Sequence, residues 1–522
     1  MTKTHVLLAG ALLASCIPEA VASPKVLSLS FQKRAVRNAG PSNMLRKRQK
    51  SVTATLHNEQ YLYLINATAG DPPQQFSLHI DTGSSDIWLP YAQSDVCSQQ
   101  PERCTNGVFS PSDSSRFTDL TEGGSMPNFD ISYVDGTQIL GDYVTDNFGV
   151  GGATVTNMTM GIATQMTLTD DVSSVQGIMG VGFQAGESIA SQYPDLIYPN
   201  IITQLKSQGH IRSRAYSLWL NDLESNTGNI LFGGVDTEKY EGDLVVLPVQ
   251  EDTASGSLSS FTVVLDNMFF TGGNGEVQYN KSNLDMAVIL DSGTTLTYMP
   301  DDIADEIAGG VGAFNDPQAG MVLPCSVGQS AATLSFGFGN PGGPKIKVEL
   351  SQFVLPFPQQ PDNQPVTFRD GTVACQWGIL GSGQNPNLFG DTFLRSAYVV
   401  YDIDNHQVGI AQTTFNSTNA DIQEIDSAIP GASSTASGHS VTQTFSGYPK
   451  PSGTQQAPNS GQLTALPTAT FDLGSSSGSG NSRPSDTGAA NAVSVPPFAI
   501  STLFTGLVVA LSMMGGSLLI FV

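Results

Sequence analysis

The chain has few charged residues, and most of them are acidic. Charged residues make up 13% of its 522 residues, and 46 acidic residues against 22 basic ones give a net charge of -24. Such a surface repels phosphate backbones and anionic lipid headgroups, so no nucleic-acid partner is expected. An acidic working environment fits this composition better.

Long apolar runs are confined to the two ends of the chain. Residues 1–22 begin with Lys3, run apolar from Val6 to Ala14 and close on small residues at 20–22, which is typical of a signal peptide. The run is too short to span a membrane, which disfavours a retained N-terminal helix. We therefore expect entry into the secretory pathway and removal of residues 1–22.

Cysteine is scarce as well. Once Cys16 has left with the signal peptide, four cysteines remain: Cys97, Cys104, Cys325 and Cys375. An even count in an oxidising compartment favours two disulfides, and of the three possible connectivities the sequence-local one is Cys97-Cys104 with Cys325-Cys375. No CxxC pair or nearby set of histidines is present, so a zinc site is disfavoured and neither metal nor cofactor is expected.

Residues 23–48 show little apolar periodicity and are basic. Residues 1–48 contain 8 of the 22 basic residues and only 1 of the 46 acidic ones. A basic pair occurs at 33–34 and a run of three basic residues at 46–48, the latter directly before a strand-rich region. This favours a short propeptide, cut after Arg48 by a processing protease, over a solvated linker. A basic pro-segment would cover an acidic cleft by electrostatic attraction.

Beyond residue 416 the composition changes to Ser, Thr, Gly, Pro and Ala. Residues 417–488 are predicted to form a flexible, O-glycosylated stalk, because such a composition cannot build a core. Residues 498–522 are apolar and lack the basic flank of a spanning helix. With the small residues at 488–490 they favour a glycosylphosphatidylinositol (GPI) anchor signal, 489–522, attached at Gly488, over a retained membrane helix. Sequons for N-glycosylation occur at Asn66, Asn157, Asn280 and Asn416.

Between residues 59 and 415 short strands and turns predominate. From Gln75 to Ile80 apolar and polar residues alternate, which predicts a half-buried strand with His79 as a surface or hydrogen-bonded residue rather than a catalyst. The apolar run Met286 to Leu290 predicts a strand buried on both faces. Helices are few: Asn200 caps a helix over 201–208, and a short one starts at 300–301 and runs through 307.

One motif occurs twice. Asp81-Thr82-Gly83-Ser84 follows an apolar strand, and 210 residues later so does Asp291-Ser292-Gly293-Thr294. Each is followed at a distance by two apolar residues and a glycine, at 178–180 and at 388–390. A single Asp-Thr-Gly is usually a turn, but the paired context predicts two copies of one lobe.

These segments resemble the pepsin family of aspartic proteases over residues 55–415. Residues 78–90 are similar to the family's first active-site loop, 131–137 to its flap hairpin, and 389–395 with 399–402 to its C-terminal strands. The resemblance implies an all-β, bilobal fold with a cleft between an N-terminal lobe, 49–238, and a C-terminal lobe, 239–416. Each lobe would provide one catalytic aspartate, Asp81 and Asp291.

The resemblance also implies roles for the neighbouring residues. Thr82 and Ser292 would brace the two loops, Ser292 being a departure from the commoner Thr that keeps the hydroxyl. The other supporting residues are expected to hydrogen-bond the aspartates or to allow close backbone approach: Ser84, Thr294, Gly83 and Gly293.

The flap is the second part of the implied site. Tyr133 would lie at its tip, hydrogen-bond toward Trp88 and wall the pocket before the scissile bond, with Asp135, Gly136 and Thr137 completing the turn. Asp135 would overhang that pocket and favour Lys or Arg before the cleaved bond. The alternative is a turn aspartate, since Asp-Gly is a favoured hairpin pair.

Paired carboxylates suit peptide hydrolysis without a metal or a covalent intermediate. Two carboxylates held close share one proton, so one member activates a water and the other polarises the scissile carbonyl. Two other functions are compatible with parts of the sequence: a binding protein of the same fold that has lost catalysis, and a structural cell-wall glycoprotein. Intact Asp motifs and flap tyrosine favour a protease, whose substrates would be proteins or peptides.

The full arrangement is similar to the yapsin-type aspartic proteases of fungal cell surfaces. The shared features are a dibasic propeptide, a pepsin-like domain, a Ser/Thr-rich stalk and a lipid-anchor signal. The sequence thus predicts a monomeric endopeptidase, GPI-anchored at the plasma membrane or in the cell wall.

Overall fold

The computed structural model describes residues 25–34, 62–168, 174–225, 227–252, 256–279, 284–317, 319–339, 343–357, 364–435, 441 and 469–473. The predicted signal peptide, the cleavage site after Arg48, the sequon at Asn280 and the anchor signal with Gly488 lie outside these residues. Across the described ranges, no helix has both the length and the apolar character needed to cross a membrane.

Strands dominate the structure, as the all-β prediction requires. In chain order they are β1 (Leu27–Arg34), β2 (Leu62–Ala69), β3 (Gln74–Asp81), β4 (Ile87–Pro90), β5 (Thr118–Asp119), β6 (Asn128–Ser132), β7 (Gln138–Val150), β8 (Ala153–Thr167), β9 (Ile178–Gly180), β10 (Ala215–Trp219), β11 (Thr227–Phe232), β12 (Gly234–Asp236), β13 (Tyr240–Pro248), β14 (Thr262–Gly272), β15 (Gly275–Gln278), β16 (Met286–Leu290), β17 (Thr297–Met299), β18 (Phe314–Asp316), β19 (Gly320–Pro324), β20 (Thr333–Phe338), β21 (Lys345–Glu349), β22 (Val354–Pro356), β23 (Ala374–Trp377), β24 (Ile379–Gly381), β25 (Leu388–Phe389), β26 (Ala397–Asp402), β27 (Gln407–Thr413), β28 (Ile422–Glu424) and β29 (Ala432–Thr435). The α-helices are α1 (Asp95–Gln99), α2 (Ile201–Ser207), α3 (Asp301–Val311) and α4 (Asp391–Leu394). Short 3₁₀ helices occur at Pro101–Arg103, Pro111–Asp113, Gln184–Gly186, Ser188–Ser191, Pro194–Leu196, Thr237–Lys239, Cys325–Gln329 and Leu350–Gln352.

The sheets form two lobes, which confirms the bilobal prediction. A 15-stranded sheet runs in the order β29-β13-β27-β26-β10-β11-β1-β2-β3-β9-β4-β8-β7-β5, with β6 paired to β7. It contains most strands of the first lobe and also β13, β26, β27 and β29 from beyond residue 239, whereas β12 pairs with β28 in a separate two-stranded sheet. The second lobe has an 8-stranded sheet in the order β21-β20-β14-β16-β25-β17-β24, with β15 on β14, and a 4-stranded sheet β18-β19-β23-β22.

The two lobes repeat one strand arrangement around the twin Asp motifs. In the first lobe β3 runs parallel to β9, and β4 pairs antiparallel to the same strand. In the second lobe β16 runs parallel to β25, and β17 pairs antiparallel to it. A Cβ at Gly180 would lie 2.7 Å from the Asp86 backbone, and one at Gly390 would collide with the Thr294 carbonyl oxygen. The glycine of each apolar-apolar-Gly motif therefore lets the loop after the Asp pack tightly.

The two longer helices begin where the sequence predicts. In α2 the Asn200 side chain accepts from the Thr203 amide at 3.2 Å, and the chain then leaves the helix through Gly209 at φ +78°. Helix α3 starts at Asp301 as expected but continues to Val311, past the predicted end at 307. Its buried side chains at 303, 304, 307, 308 and 311 form the apolar face that carries it further.

Two disulfides join the cysteines in the predicted pairs. Cys97 bonds Cys104, which ties helix α1 to the turn that follows it. Cys325 bonds Cys375 and connects the end of β19 to β23.

The expectation that residues 23–48 lack apolar periodicity is wrong for their described part. Leu27–Arg34 forms β1, which pairs antiparallel with β11 on one side and with β2 on the other. The leucines at 27 and 29 alternate with exposed serines, and Leu29 is buried in the core. Cleavage after Arg48 remains a prediction. Residues 27–34 of the predicted propeptide form a strand of the 15-stranded sheet.

The predicted lobe boundary at 416 is too early, because the ordered contacts continue to 435. Ile422–Glu424 pairs with β12, and Ala432–Thr435 runs parallel to β13. The Lys239 ammonium donates to the carbonyl oxygens of Ser417 and Asn419 at 2.8 and 2.6 Å. Ile425 and Ile429 are buried in the cluster that includes Tyr398.

Two buried carboxyl groups hold the segment that follows β9. Asp86 is fully buried, and its two oxygens accept from the Tyr198 hydroxyl at 2.6 Å and the Ser188 amide at 2.8 Å. Glu187, 2% exposed, accepts from the Tyr198 amide at 3.0 Å. Burial raises the pKa of Glu187 to about 9 and the pKa of Asp86 to about 6.

These shifts predict a stability that decreases toward alkaline pH. The pKa of each group in the folded protein is above the value of about 4 expected in the unfolded chain. The contribution of the two groups to the free energy of unfolding is therefore complete below pH ~4 and is lost as the pH rises through about 6 and then 9. We expect Glu187→Gln to raise the free energy of unfolding at pH 8 by roughly 1–3 kcal/mol relative to wild type, with little change at pH 4. Urea unfolding at both pH values measures this.

The matched control is Glu102→Gln, which changes an exposed glutamate. It should leave the pH dependence of unfolding as in wild type. A Glu187→Gln protein whose stability falls between pH 4 and pH 8 as steeply as wild type would show that Glu187 does not ionise with a raised pKa.

Candidate active site

Asp81 is the last residue of β3 and is 5% exposed. Its Oδ1 accepts from the Gly83 amide at 2.8 Å, and its Oδ2 accepts from the Ser84 hydroxyl at 2.5 Å. Beyond the loop, the Val181 amide donates to the Asp81 carbonyl at 2.9 Å. The carboxylate is therefore fixed by its own loop, and the loop is fixed by the neighbouring strand.

Asp291 follows β16 directly, is 8% exposed and is held in the same way. Its Oδ1 accepts from the Gly293 amide at 2.8 Å and its Oδ2 from the Thr294 hydroxyl at 2.7 Å. The two predicted aspartates thus have equivalent partners at equivalent spacings, one in each lobe.

The structure brings the two carboxyl groups together. They are hydrogen-bonded to each other. A Cβ at Gly83 would lie 2.5 Å from Asp291 Oδ1, and one at Gly293 would collide with Asp81 Oδ1. Each glycine therefore keeps open the space that the opposite carboxyl group occupies, which explains why the motif needs glycine at this position.

The pair retains a proton above the usual carboxyl range. Burial is the main cause that raises the pKa of Asp291, and the nearby charge of Asp81 raises it further. The hydrogen bonds from Thr294 and Gly293 act in the opposite direction but are the smaller effects. Asp291 therefore keeps its proton to a higher pH than an ordinary carboxyl group does.

Crossed hydrogen bonds join the two loops below the carboxyl groups. The Thr82 hydroxyl donates to the Leu290 carbonyl at 2.9 Å and accepts from the Ser292 amide at 2.9 Å. The Ser292 hydroxyl donates to the Ile80 carbonyl at 3.1 Å and accepts from the Thr82 amide at 3.2 Å. Serine at 292 makes the same two bonds as its threonine counterpart, so replacing the commoner Thr leaves this bracing complete.

His79 differs in part from its expectation. Gln75 is exposed while Phe76 and Leu78 are buried, as the alternation predicts, but His79 is buried too. Burial lowers its pKa to about 4, and its ring hydrogen-bonds the Ser292 backbone. The neutral ring lies beneath the second loop and is a hydrogen-bonded residue, not a surface one.

The predicted flap is a hairpin between β6 and β7, closed by the pairing of Ser132 with Gln138. At its tip the Gly136 amide donates to the Tyr133 carbonyl at 3.0 Å, with Gly136 at φ +90°. The Trp88 indole donates to the Tyr133 hydroxyl at 2.8 Å. Tyr133 is thus held between the flap and the first active-site loop.

Asp135 is an exposed turn residue whose carboxylate is engaged within the flap. One oxygen accepts from the Thr137 amide at 2.8 Å and the other from the Thr137 hydroxyl at 3.0 Å. These contacts match the turn interpretation of the Asp-Gly pair. They leave the charge of Asp135 in place at the flap tip.

Sequence reasoning missed the residues that support the first loop from behind. The Ser85 hydroxyl donates to the Phe183 carbonyl at 2.5 Å, and Asp86 accepts from Tyr198 and Ser188 as described above. Asp86 could have been found from its position two residues after the first motif, in a loop expected to be buried. A buried carboxyl group needs hydrogen-bond partners, so this position predicts a supporting contact.

Comparison with known proteins identifies the family. Residues 62–413 match the family model described as eukaryotic aspartyl protease. The probable aspartic-type endopeptidase opsB of Aspergillus fumigatus is 40% identical over 425 residues, covering 80% of this chain and 83% of that protein. The corresponding OPSB of Arthroderma benhamiae is 37% identical over 492 residues, 93% and 92% of the two chains.

A third relative extends the comparison. Secreted aspartic protease 3 of Candida albicans is 33% identical over 438 residues, covering 80% of this chain and 98% of that protein. The segment matched by the family model, residues 62–413, contains both Asp loops, the flap and the strands that position them. With its paired Asp motifs in two repeated lobes, the chain belongs to the eukaryotic aspartyl protease family.

Proposed function

We propose that the protein is a secreted, cell-surface aspartic endopeptidase in which Asp81 and Asp291 activate a water for peptide hydrolysis. The observation that carries this proposal is the buried, hydrogen-bonded carboxyl pair with matching partners in two lobes. Family membership supports the reaction class, since the relatives named above are called endopeptidases or proteases.

The proposed reaction uses the unequal protonation of the pair. Asp291, whose pKa is raised, provides the shared proton, and Asp81 acts as the base. Asp81 takes a proton from water as the water oxygen bonds the scissile carbonyl carbon, and Asp291 gives its proton to the carbonyl oxygen. In the second step the C–N bond breaks, Asp81 returns its proton to the amine nitrogen, and a hydroxyl proton of the gem-diol returns to Asp291.

A binding protein of the same fold without catalysis is the alternative. Such a protein would not need glycine at 83 and 293 to leave room for the opposite carboxyl group. It would also not need a carboxyl pair that retains a proton. A structural cell-wall glycoprotein would need neither lobe. The intact site therefore favours the enzyme.

Removing either carboxylate should abolish hydrolysis without unfolding the protein. We expect Asp81→Asn and Asp291→Asn each to lower kcat/KM by at least about a thousandfold, because the amide cannot share the proton. The assay is cleavage of denatured protein at acid pH, with and without a pepstatin-type inhibitor. Asp113→Asn, at an exposed site, is the control and should keep wild-type activity.

Residual cleavage by an Asn variant would contradict this prediction. Cleavage by either Asn variant at more than a few per cent of the wild-type rate, resistant to the inhibitor and to a chelator, would place the catalytic centre elsewhere.

We also propose a preference for Lys or Arg before the cleaved bond, with Asp135 as its source. Because its carboxylate is exposed and already accepts two bonds from Thr137, a cation would gain only a surface-type attraction. Asp135→Asn removes the charge while an amide oxygen can still accept from the Thr137 amide. We expect the ratio of kcat/KM for Lys to that for Leu peptides to fall about two- to fivefold.

Peptides that differ only in Lys or Leu before the scissile bond measure this ratio. Asp113→Asn again serves as the control for a general loss of negative charge. A ratio unchanged by Asp135→Asn would leave Asp135 as a turn residue only.

The route to the cell surface rests on the sequence. We propose removal of residues 1–22 and 23–48, glycosylation of the stalk and of sequons, and a GPI anchor at Gly488. The side chains of Asn66, Asn157 and Asn416 are exposed, which is compatible with N-glycosylation. One of the relatives is named a secreted protease, in keeping with the signal peptide.

The anchor proposal predicts the chemistry of the mature C-terminus. The peptide 498–522 should be missing from the membrane-bound protein in mass spectrometry, because transfer to the lipid removes it. Phosphatidylinositol-specific phospholipase should release the protein from membranes. Detection of peptide 498–522 in the membrane fraction, together with no release, would instead indicate a retained apolar terminus.

A further inference from the structure

A short part of the predicted stalk, residues 469–473, lies against the second lobe. The Phe471 ring centroid is 4.4 Å from that of Phe270 on β14 and 6.3 Å from that of Tyr279. Phe471 and Leu473 both pack against the main hydrophobic core. The composition of the stalk predicts no such contact. The contact must therefore depend on particular residues of this segment and of the surface of the second lobe that it touches, called the receiving surface below.

Backbone hydrogen bonds fix the segment at two places. The amides of Thr470 and Phe471 both donate to the Gly310 carbonyl, at 3.0 and 2.8 Å. This carbonyl belongs to the last turn of α3, where carbonyl oxygens have no partner within the helix. On the other side, the Gly273 amide in the β14–β15 turn donates to the Asp472 carbonyl at 3.1 Å. The segment therefore bridges a helix end and a hairpin turn.

The receiving surface is made of glycines where the segment comes closest. A Cβ at Gly310 would collide with the Phe471 ring, and one at Gly272 would collide with the Asp472 carbonyl oxygen. A Cβ at Gly273 would lie 2.6 Å from the Asp472 carboxylate. Glycine inside a helix lowers the stability of the helix, so a favourable contact at Gly310 in α3 would offset this cost. The aromatic ring packed on it supplies one.

The neighbouring glycine of the same helix shows that the fit is local. A Cβ added at Gly309 would meet nothing within 4 Å. Of these two adjacent glycines on α3, Gly310 is the one whose Cβ position lies against the Phe471 ring.

We propose that residues 469–473 are an intramolecular docking segment that clips the tail onto the second lobe through Phe471. The clip moves the last residue held against the lobe from 435 to 473. A fully extended chain of the length between 473 and Gly488 spans at most ~50 Å, against ~170 Å for the length between 435 and Gly488. This reach concerns the anchor proposed above, whereas the docking itself depends only on the contacts described.

The test uses limited chymotrypsin digestion of the full chain, because the tail has two Thr-Phe pairs. Phe471 follows Thr470, and Phe445 follows Thr444 in the same stalk. In wild type, cutting after Phe471 should be at least about tenfold slower than cutting after Phe445, since a docked, hydrogen-bonded segment must open before a protease can bind it.

Substitutions on the lobe then separate docking from any property of the tail itself. Gly310→Ala should displace the ring and raise cutting after Phe471 by at least about tenfold, with cutting after Phe445 unchanged. Gly309→Ala is the matched control and should leave both rates as in wild type. Both changes favour the helix, so the folded lobe is retained, and the tail sequence with its glycans is identical in all three proteins.

Peptidase activity is the readout that distinguishes this proposal from the function proposed above. Gly310→Ala should cleave peptide substrates at the wild-type rate, because the clip does not contact the Asp pair. Equal cutting after the two phenylalanines in wild type, or no response to Gly310→Ala, would overturn the docking proposal whatever the peptidase assay gives.

Discussion

The crossed hydrogen bonds between Thr82 and Ser292 are the constraint on which the site depends. They join two loops that are 210 residues apart and belong to different lobes. This connection helps to hold two buried acidic groups close together, where two ionised carboxylates would repel each other. The close approach of Gly83 and Gly293, the shared proton and the proposed chemistry all follow from it.

The same physical effect operates at the site and in the scaffold. Burial raises the pKa of Asp291 in the cleft, and it raises those of Asp86 and Glu187 in the segment behind the first loop. In each case the protonated carboxyl is the form that the folded protein prefers. At these three positions an acidic medium therefore favours the folded protein.

Part of the structure follows from local signals in the sequence. Residues close together in the chain predicted the two Asp-motif loops, the start of helix α2 and the Cys97–Cys104 disulfide, and the structure has these features at those positions. Several contacts between distant segments were missed. Strand β1 pairs with a strand some 200 residues away, the isoleucines at 425 and 429 are isolated in polar sequence, and Phe471 packs on a helix glycine that no pattern marks. His79 is buried because the second lobe covers its strand, which a single strand's alternation cannot reveal.

Strand β29 has a consequence for how the protein resists aggregation. Its four residues run along β13 and form one border of the large sheet, and the opposite border, β5, has only two residues. A long exposed border offers unpaired amide and carbonyl groups on which another chain can add a strand and start aggregation. Here both border strands of the large sheet are short, four residues at β29 and two at β5. The large sheet therefore has few unpaired backbone groups at its borders to which a second chain could add a strand.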